Sequence, residues 1–379
     1  MSALQEPDIG QEGNSLLMSQ TRRAILLAAL LHGLALSIPA IKTGSLAGGI
    51  RFGCLADGPC YAAANRAVLP PDAPVYKSGG YDGQFYYYIA NRIFLGASIQ
   101  LDSEPFRWAR IGYPAICGAA VLISPMALVW SMALIPLFAH LCAIGSLRAF
   151  PRAAWVMALN PFSILAANLF LADGLALSLA VLGITRVLDA AASRNRQAVG
   201  WILVAIACLC KETMLAFPIA FILVNLRNLR ILSALASMLP VMAWWWYTGF
   251  SPVAAAERGI ASGFFSYIGH PDAVFSGRGL LFPYIAIVTV IAWVSGPGPD
   301  RKIGLLLLLA GTVPPLLASA EYWDNFANIA RLFIPVTIGA IVCSFWSNRW
   351  SWILSAYSLV FCFMLLLREW RAMPDVILY

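Results

Sequence analysis

Charge is expensive inside or beside long apolar runs, so the few charged side chains found there are the first candidates for chemistry. Asp82 opens the segment Gly79-Gly80-Tyr81-Asp82-Gly83-Gln84-Phe85-Tyr86-Tyr87-Tyr88-Ile89-Ala90. Two glycines permit a tight turn before it, and an almost wholly aromatic helix follows. A carboxylate at the membrane surface beside Tyr81, Gln84 and Tyr86 could act as a general base toward an acceptor hydroxyl. The plain structural reading is compatible with this: Asp82 caps the helix, which lies in the interface with its rings at headgroup depth. Asp173 sits between two apolar runs, as a turn and cap residue or as a second acid facing the same cleft. Lys211-Glu212-Thr213 interrupts another run, where Lys211 either stabilises a kink or neutralises a phosphate. Arg331, in Asn328-Ile329-Ala330-Arg331-Leu332, either snorkels or grips phosphate oxygens with its planar guanidinium. His270, Asp272 and Arg278 read as ordinary loop residues.

The elements that must position these groups are membrane helices. Of 379 residues, 60% are hydrophobic and 11% charged, where a soluble domain carries roughly 25% charge. The apolar runs are continuous rather than alternating, which argues against a β-barrel. A soluble enzyme, a disulfide scaffold and a disordered chain are excluded. The net charge of +7 comes from arginines scattered at the ends of apolar runs, not from a basic run with interleaved aromatics, so no nucleic-acid partner is expected. Six cysteines lie in apolar runs and read as small buried hydrophobes. Cys54 and Cys60 share a polar loop where a local disulfide is plausible if the loop is extracytoplasmic. No Cys/His cluster has zinc-ligand spacing.

The expected fold is all-α: a polytopic transmembrane helical bundle of about eleven spans at ~20 residues each. Residues 1–21 are expected as a loose cytoplasmic tail, 22–350 as the catalytic module, and 351–379 as the last span and C-terminal tail. A span over 24–41 leads into a long outer loop, 42–110. A short interfacial helix over 111–124 precedes spans at 125–147, 153–170 and 173–189. This register leaves Arg148, Arg152, Arg194 and Arg196 inside. Two short spans over 198–226 meet outside at Lys211. A span over 230–249 ends in the aromatic belt Trp244-Trp245-Trp246-Tyr247, and a second outer loop covers 251–278. Spans over 279–295, 303–319, 329–346 and 351–367 follow. The last of these puts Arg368 and Arg371 outside, against the charge rule. Every candidate group then faces one side of the membrane, whereas a transporter needs polar groups near the midplane reachable from both.

The first loop resembles that of the GT-C class of polytopic glycosyltransferases. Tyr81-Asp82-Gly83-Gln84-Phe85-Tyr86 through Ile89-Ala90 is similar to the first-loop motif of bacterial members. It is distantly like the Trp-Asp-x-x-x-Tyr…Ile-Ala pattern of the GPI mannosyltransferase branch. Arg110-Ile111-Gly112-Tyr113-Pro114 is similar to the segment that follows in those proteins. Asp173-Gly174-Leu175-Ala176 and Lys211-Glu212-Thr213 match recurring positions. The resemblance implies a GT-C-like fold and a polyprenyl-phosphate sugar donor. It implies a glycan or lipid-linked acceptor and an inverting transfer on the extracytoplasmic face. Asp82 would be the catalytic base. Tyr81, Gln84, Tyr86, Arg110, Asp173, Lys211, Glu212 and Arg331 would bind substrate, with Lys211 and Arg331 on the donor phosphate. Two departures stand out. Gly83 follows Asp82 where some members have a second acid, and no soluble C-terminal domain of the kind that binds acceptors is expected. A divalent cation, magnesium or manganese, stays open, with Asp82 and Asp173 as its ligands if one binds. The expected location is a bacterial inner membrane, N-terminus cytoplasmic. A transporter or flippase of lipid-linked sugars is the alternative, and a non-catalytic membrane scaffold a third.

Overall fold

The structure, a computed structural model, describes residues 11–54, 59–78, 80–189, 191–251, 277–294, 299–318, 326–345, 349–371 and 376–377. It is all-helical, 80% helix with almost no strand. Helix α1 (Gln11–Thr43) begins inside the stretch expected to be a loose tail. The first polar segment folds into short pieces: α2 (Tyr61–Ala64), α3 (Asp82–Leu95) and α4 (Glu104–Trp108). A short helix, α5 (Gly112–Gly118), follows. Then come α6 (Pro125–Ser146), α7 (Pro151–Ala158), α8 (Pro161–Asn168), α9 (Ala172–Leu188) and α10 (Arg194–Cys210). The described residues continue with α11 (Ala216–Val224), α12 (Ile231–Thr248), α13 (Leu281–Val294), α14 (Pro299–Leu317), α15 (Phe326–Leu332), α16 (Ile334–Ser344) and α17 (Arg349–Arg371).

Among the described residues, three helical stretches, Leu17–Thr43, Pro125–Ser146 and Trp350–Arg371, are long and apolar enough to cross a membrane. The pair α15 and α16, bent by 42°, makes a fourth if it is one broken span. One expected span is instead interrupted. Pro161 opens a new helix behind Asn160, whose side chain accepts from the Ser163 amide at 2.8 Å and so caps α8. Proline is preorganised for that first helical position, so the run expected at 153–170 becomes two helices of 8 residues each. The run at 198–226 breaks at Lys211, where two short spans were expected to meet, and the Lys211 backbone is extended. The second outer loop, with His270 and Asp272, lies outside the described residues but for its ends.

The C-terminal end of α17 lies on the same side of the molecule as the first polar segment. Arg51 pairs with Glu369 at 2.7 Å, and Lys42 stands over the Trp370 ring. A small sheet ties the same regions: β1 (Phe52–Gly53) runs parallel to β2 (Val75–Tyr76), which pairs antiparallel with β3 (Val376–Ile377). Cys54 and Cys60 are joined by a disulfide beside this sheet.

Helix α3 is the largest correction. Its aromatic residues were expected at headgroup depth, yet Phe85, Tyr86, Tyr87 and Tyr88 are at most 1% exposed. Tyr87, Phe85 and Tyr86 pack edge-on against Phe52, Tyr61 and Tyr113 in turn. Ring-rich sequence answers to lipid and to a protein interior alike, and here the interior takes it. The helix ends at Gly96 in the left-handed conformation, its N–H reaching the Arg92 carbonyl at 3.1 Å, as C-terminal glycines do.

Candidate functional site

Asp82 does not cap α3. Tyr81 holds the cap position, and no side chain bonds the first-turn amides. The carboxylate turns outward from the helix start, where the macrodipole favours negative charge, and meets arginines. Arg107 Nη1 lies 2.7 Å from Oδ1 and Arg331 Nη1 2.5 Å from Oδ2. Arg110 Nη1 stands 3.8 Å from Oδ2. Burial raises the Asp82 pKa, but Arg107, Arg331 and Arg110 outweigh it and hold the carboxyl well below the usual range.

The other predicted charges join the same network. Arg331 reaches Asp173 Oδ2 with Nε at 3.0 Å and Nη2 at 2.9 Å. Neither residue plays its plain role: Asp173 caps nothing, and Arg331 does not snorkel, since their side chains are 1% and 7% exposed. Lys211 Nζ lies 3.5 Å from both Asp173 Oδ1 and Glu212 Oε1. Glu212 takes both prongs of Arg110, Nε at 2.8 Å and Nη2 at 2.7 Å. Arg107 closes the far end, gripping Asp102 through Nε at 2.7 Å and Nη2 at 2.5 Å. The rings of Phe85 and Phe106 flank Arg107, and Phe106 also lies under Arg110.

Two glycines make this convergence possible. A Cβ on Gly83 would stand 2.8 Å from the Leu169 carbonyl oxygen and 2.9 Å from that of Ile50. Helix α3 therefore touches the backbone just ahead of Asp173, which explains why no second acid follows Asp82. A Cβ on Gly112 would stand 2.7 Å from the Cys210 amide nitrogen. That approach brings Arg110 beside Glu212. The Trp244 indole N–H donates to the Trp108 carbonyl at 2.6 Å, anchoring the Arg107 segment to α12. Trp246 and Tyr247 remain exposed, as a membrane belt would be.

The remaining predicted residues divide. Tyr81 joins the site edge, its hydroxyl donating to Asn328 Oδ1 at 2.7 Å. The Tyr86 hydroxyl is buried beside the network with no hydrogen-bond partner among the described residues. Gln84 does not belong to it: its Oε1 accepts from the Gly53 amide at 3.1 Å and from the Tyr88 hydroxyl at 3.2 Å, pinning β1 to α3. Arg107, Asp102 and Asn328 were missed. Arg107 lies three residues before Arg110, the spacing that stacks side chains on one helical turn, and that was its available signal.

The arrangement does not suit a metal. Both Asp82 oxygens are engaged by guanidinium groups, and Arg331 stands between Asp82 and Asp173, so this pair does not fit a resident divalent cation. Among the described residues, no group of three or more His, Cys, Asp or Glu could hold a metal ion. No protein-family model, curated protein or solved structure matches the chain.

Proposed function

We propose that the chain is an integral-membrane glycosyltransferase of GT-C type with about eleven crossings in a bacterial inner membrane. It transfers a sugar from a polyprenyl-phosphate donor to a glycan or lipid-linked acceptor on the extracytoplasmic face. The observation that carries the reading is the convergence of Asp82, Asp173, Lys211, Glu212, Arg110 and Arg331 from widely separated parts of an apolar chain. The Cys54–Cys60 disulfide supports an extracytoplasmic first segment, because disulfides persist in oxidising compartments.

In this reading Asp82 takes the proton from the acceptor hydroxyl. The acceptor oxygen forms a bond to the sugar's anomeric carbon as the bond from that carbon to the phosphate oxygen breaks, inverting the centre. The electron pair leaves with the polyprenyl phosphate, which gains a negative charge. Arg331 and Lys211 stabilise that growing charge, and fixed cations in a dry site are worth more than in water. Asp82→Asn keeps shape and removes the base. Transfer from polyprenyl-phosphate sugars by the reconstituted variant should fall at least ~10²-fold with helical content unchanged. Transfer at the wild-type rate would refute the role of Asp82. Labelling of cysteines placed at 82, 173, 211 and 331 from both membrane faces would favour a flippase.

A further inference from the structure

A base needs an available lone pair, and in this structure each Asp82 oxygen lies against a guanidinium, which makes it a poor proton acceptor. Building on the transferase reading, we infer that its two arginines have different jobs. Arg107, locked by Asp102, is the permanent partner that positions Asp82. Arg331 is the exchangeable partner, which the donor phosphate withdraws, freeing Asp82 Oδ2 to accept the acceptor's proton.

The contacts distinguish the two cations. Arg107 spends Nε and Nη2 on Asp102 and Nη1 on Asp82, with Phe85 and Phe106 along its guanidinium. A bidentate pair fixes the plane of the fork, so Asp102 sets the direction in which Nη1 points. Both residues sit within a few positions of each other, on a segment anchored by Trp244. Arg331 instead bridges two carboxylates on different helices, α3 and α9, and either can do without it. Asp82 keeps Arg107, and Asp173 keeps Lys211 at 3.5 Å. Arg110 is less available, being held two-pronged by Glu212.

The charge count points the same way. Four carboxylates, Asp82, Asp102, Asp173 and Glu212, face four cations, Arg107, Arg110, Lys211 and Arg331. The network is neutral at rest, with nothing to spare for an anion. A phosphodiester donor brings one negative charge and claims Arg331, so one carboxylate must lose a partner. Proton transfer from the acceptor then neutralises Asp82 itself, while the negative charge leaves on the polyprenyl phosphate, held by Arg331. In this exchange donor binding precedes proton transfer to Asp82. Tyr81 and Tyr86 are the other titratable groups against Asp82, and both phenols are pushed further from ionisation by burial, so they do not compete for this proton.

The test uses the full chain in lipid nanodiscs and citronellyl methyl phosphate, a short isoprenyl phosphodiester that does not itself titrate. In the wild type, binding should shift one carboxylate infrared band that Asp82→Asn lacks. It should also drive proton uptake in the ordinary carboxylate range. Arg331→Ala should weaken the probe about ten- to a hundred-fold, the worth of a charge-assisted contact. Asp102→Asn and the charge-keeping Arg107→Lys should leave probe affinity unchanged while lowering kcat for sugar transfer, with donor KM unmoved. An unmoved Asp82 band would overturn the inference, as would Asp102→Asn or Arg107→Lys weakening the probe as much as Arg331→Ala. The binding arms need no transfer, so a shifted Asp82 band with no sugar transferred sinks the transferase reading alone. Transfer with an unmoved band sinks the exchange alone.

Discussion

Asp173→Asn should destabilise the protein strongly. The side chain is 1% exposed and faces two buried cations, Arg331 at 2.9 Å and Lys211 at 3.5 Å. The amide keeps the shape but leaves those charges with less compensation in a poorly solvated place. Removing one partner of a buried ion pair costs about 3–5 kcal/mol. Arg331 retains Asp82 and Lys211 retains Glu212, so the low end applies, about 3 kcal/mol or roughly a hundred-fold in the unfolding equilibrium. The assay is reversible unfolding in mixed lipid and SDS micelles, followed by the fluorescence of the 13 tryptophans. Adding Lys211→Met removes the surplus charge and should recover part of the loss. A single-variant cost below ~0.5 kcal/mol, the range of ordinary surface changes, would refute the buried network. A double variant no better than the single would do the same.

Gly83→Ala should cost about 1–3 kcal/mol, as overpacking does, because its Cβ meets two backbone carbonyls that have no rotamer to escape into. It should also slow transfer by displacing Asp82 from its positioning partner Arg107, and a fully active, fully stable Gly83→Ala protein would contradict the close approach. Gln84→Ala should lower stability and leave donor KM unchanged, since the residue pins β1 rather than touching the network; a raised KM would return it to the site. The pH dependence has a fixed sign. The folded-state pKa of Asp82 is depressed below its ordinary value of 3.8, so its contribution to stability is fully present above that value and lost as pH falls through the lower, folded one. The stability gap between wild type and Asp82→Asn should hold from neutral pH down to that value and shrink below it; a gap that closes already near neutrality would contradict the pairing.

Asp173, Lys211 and Arg331 were legible in the sequence because a charge in an apolar run demands a reason, and Asp82 because it opens an almost wholly aromatic segment. Arg107 and Asp102 were not, because in a polar segment charges are cheap and carry no such signal. Their role depends on α3 and α4 folding over each other. The burial of Tyr86, Tyr87 and Tyr88 was hidden for a related reason: a ring-rich helix satisfies lipid and protein interior equally. The expected span over 153–170 assumed a straight helix, whereas Pro161 starts a second helix behind Asn160; the break at Lys211 was expected, as the meeting point of two short spans. The departure at Gly83 was visible as a missing acid. Its cause, the backbone of Ile50 and Leu169 pressed against it, exists only in three dimensions.

The central claim, that Asp82 serves sugar transfer from a polyprenyl phosphate, is tested most directly by mass spectrometry of lipid-linked sugars. The comparison is between source cells lacking the chain and the same cells carrying wild type or Asp82→Asn. One polyprenyl-phosphate sugar should accumulate without the chain, disappear with wild type and persist with Asp82→Asn. An unchanged lipid-linked sugar profile in all three strains would contradict it.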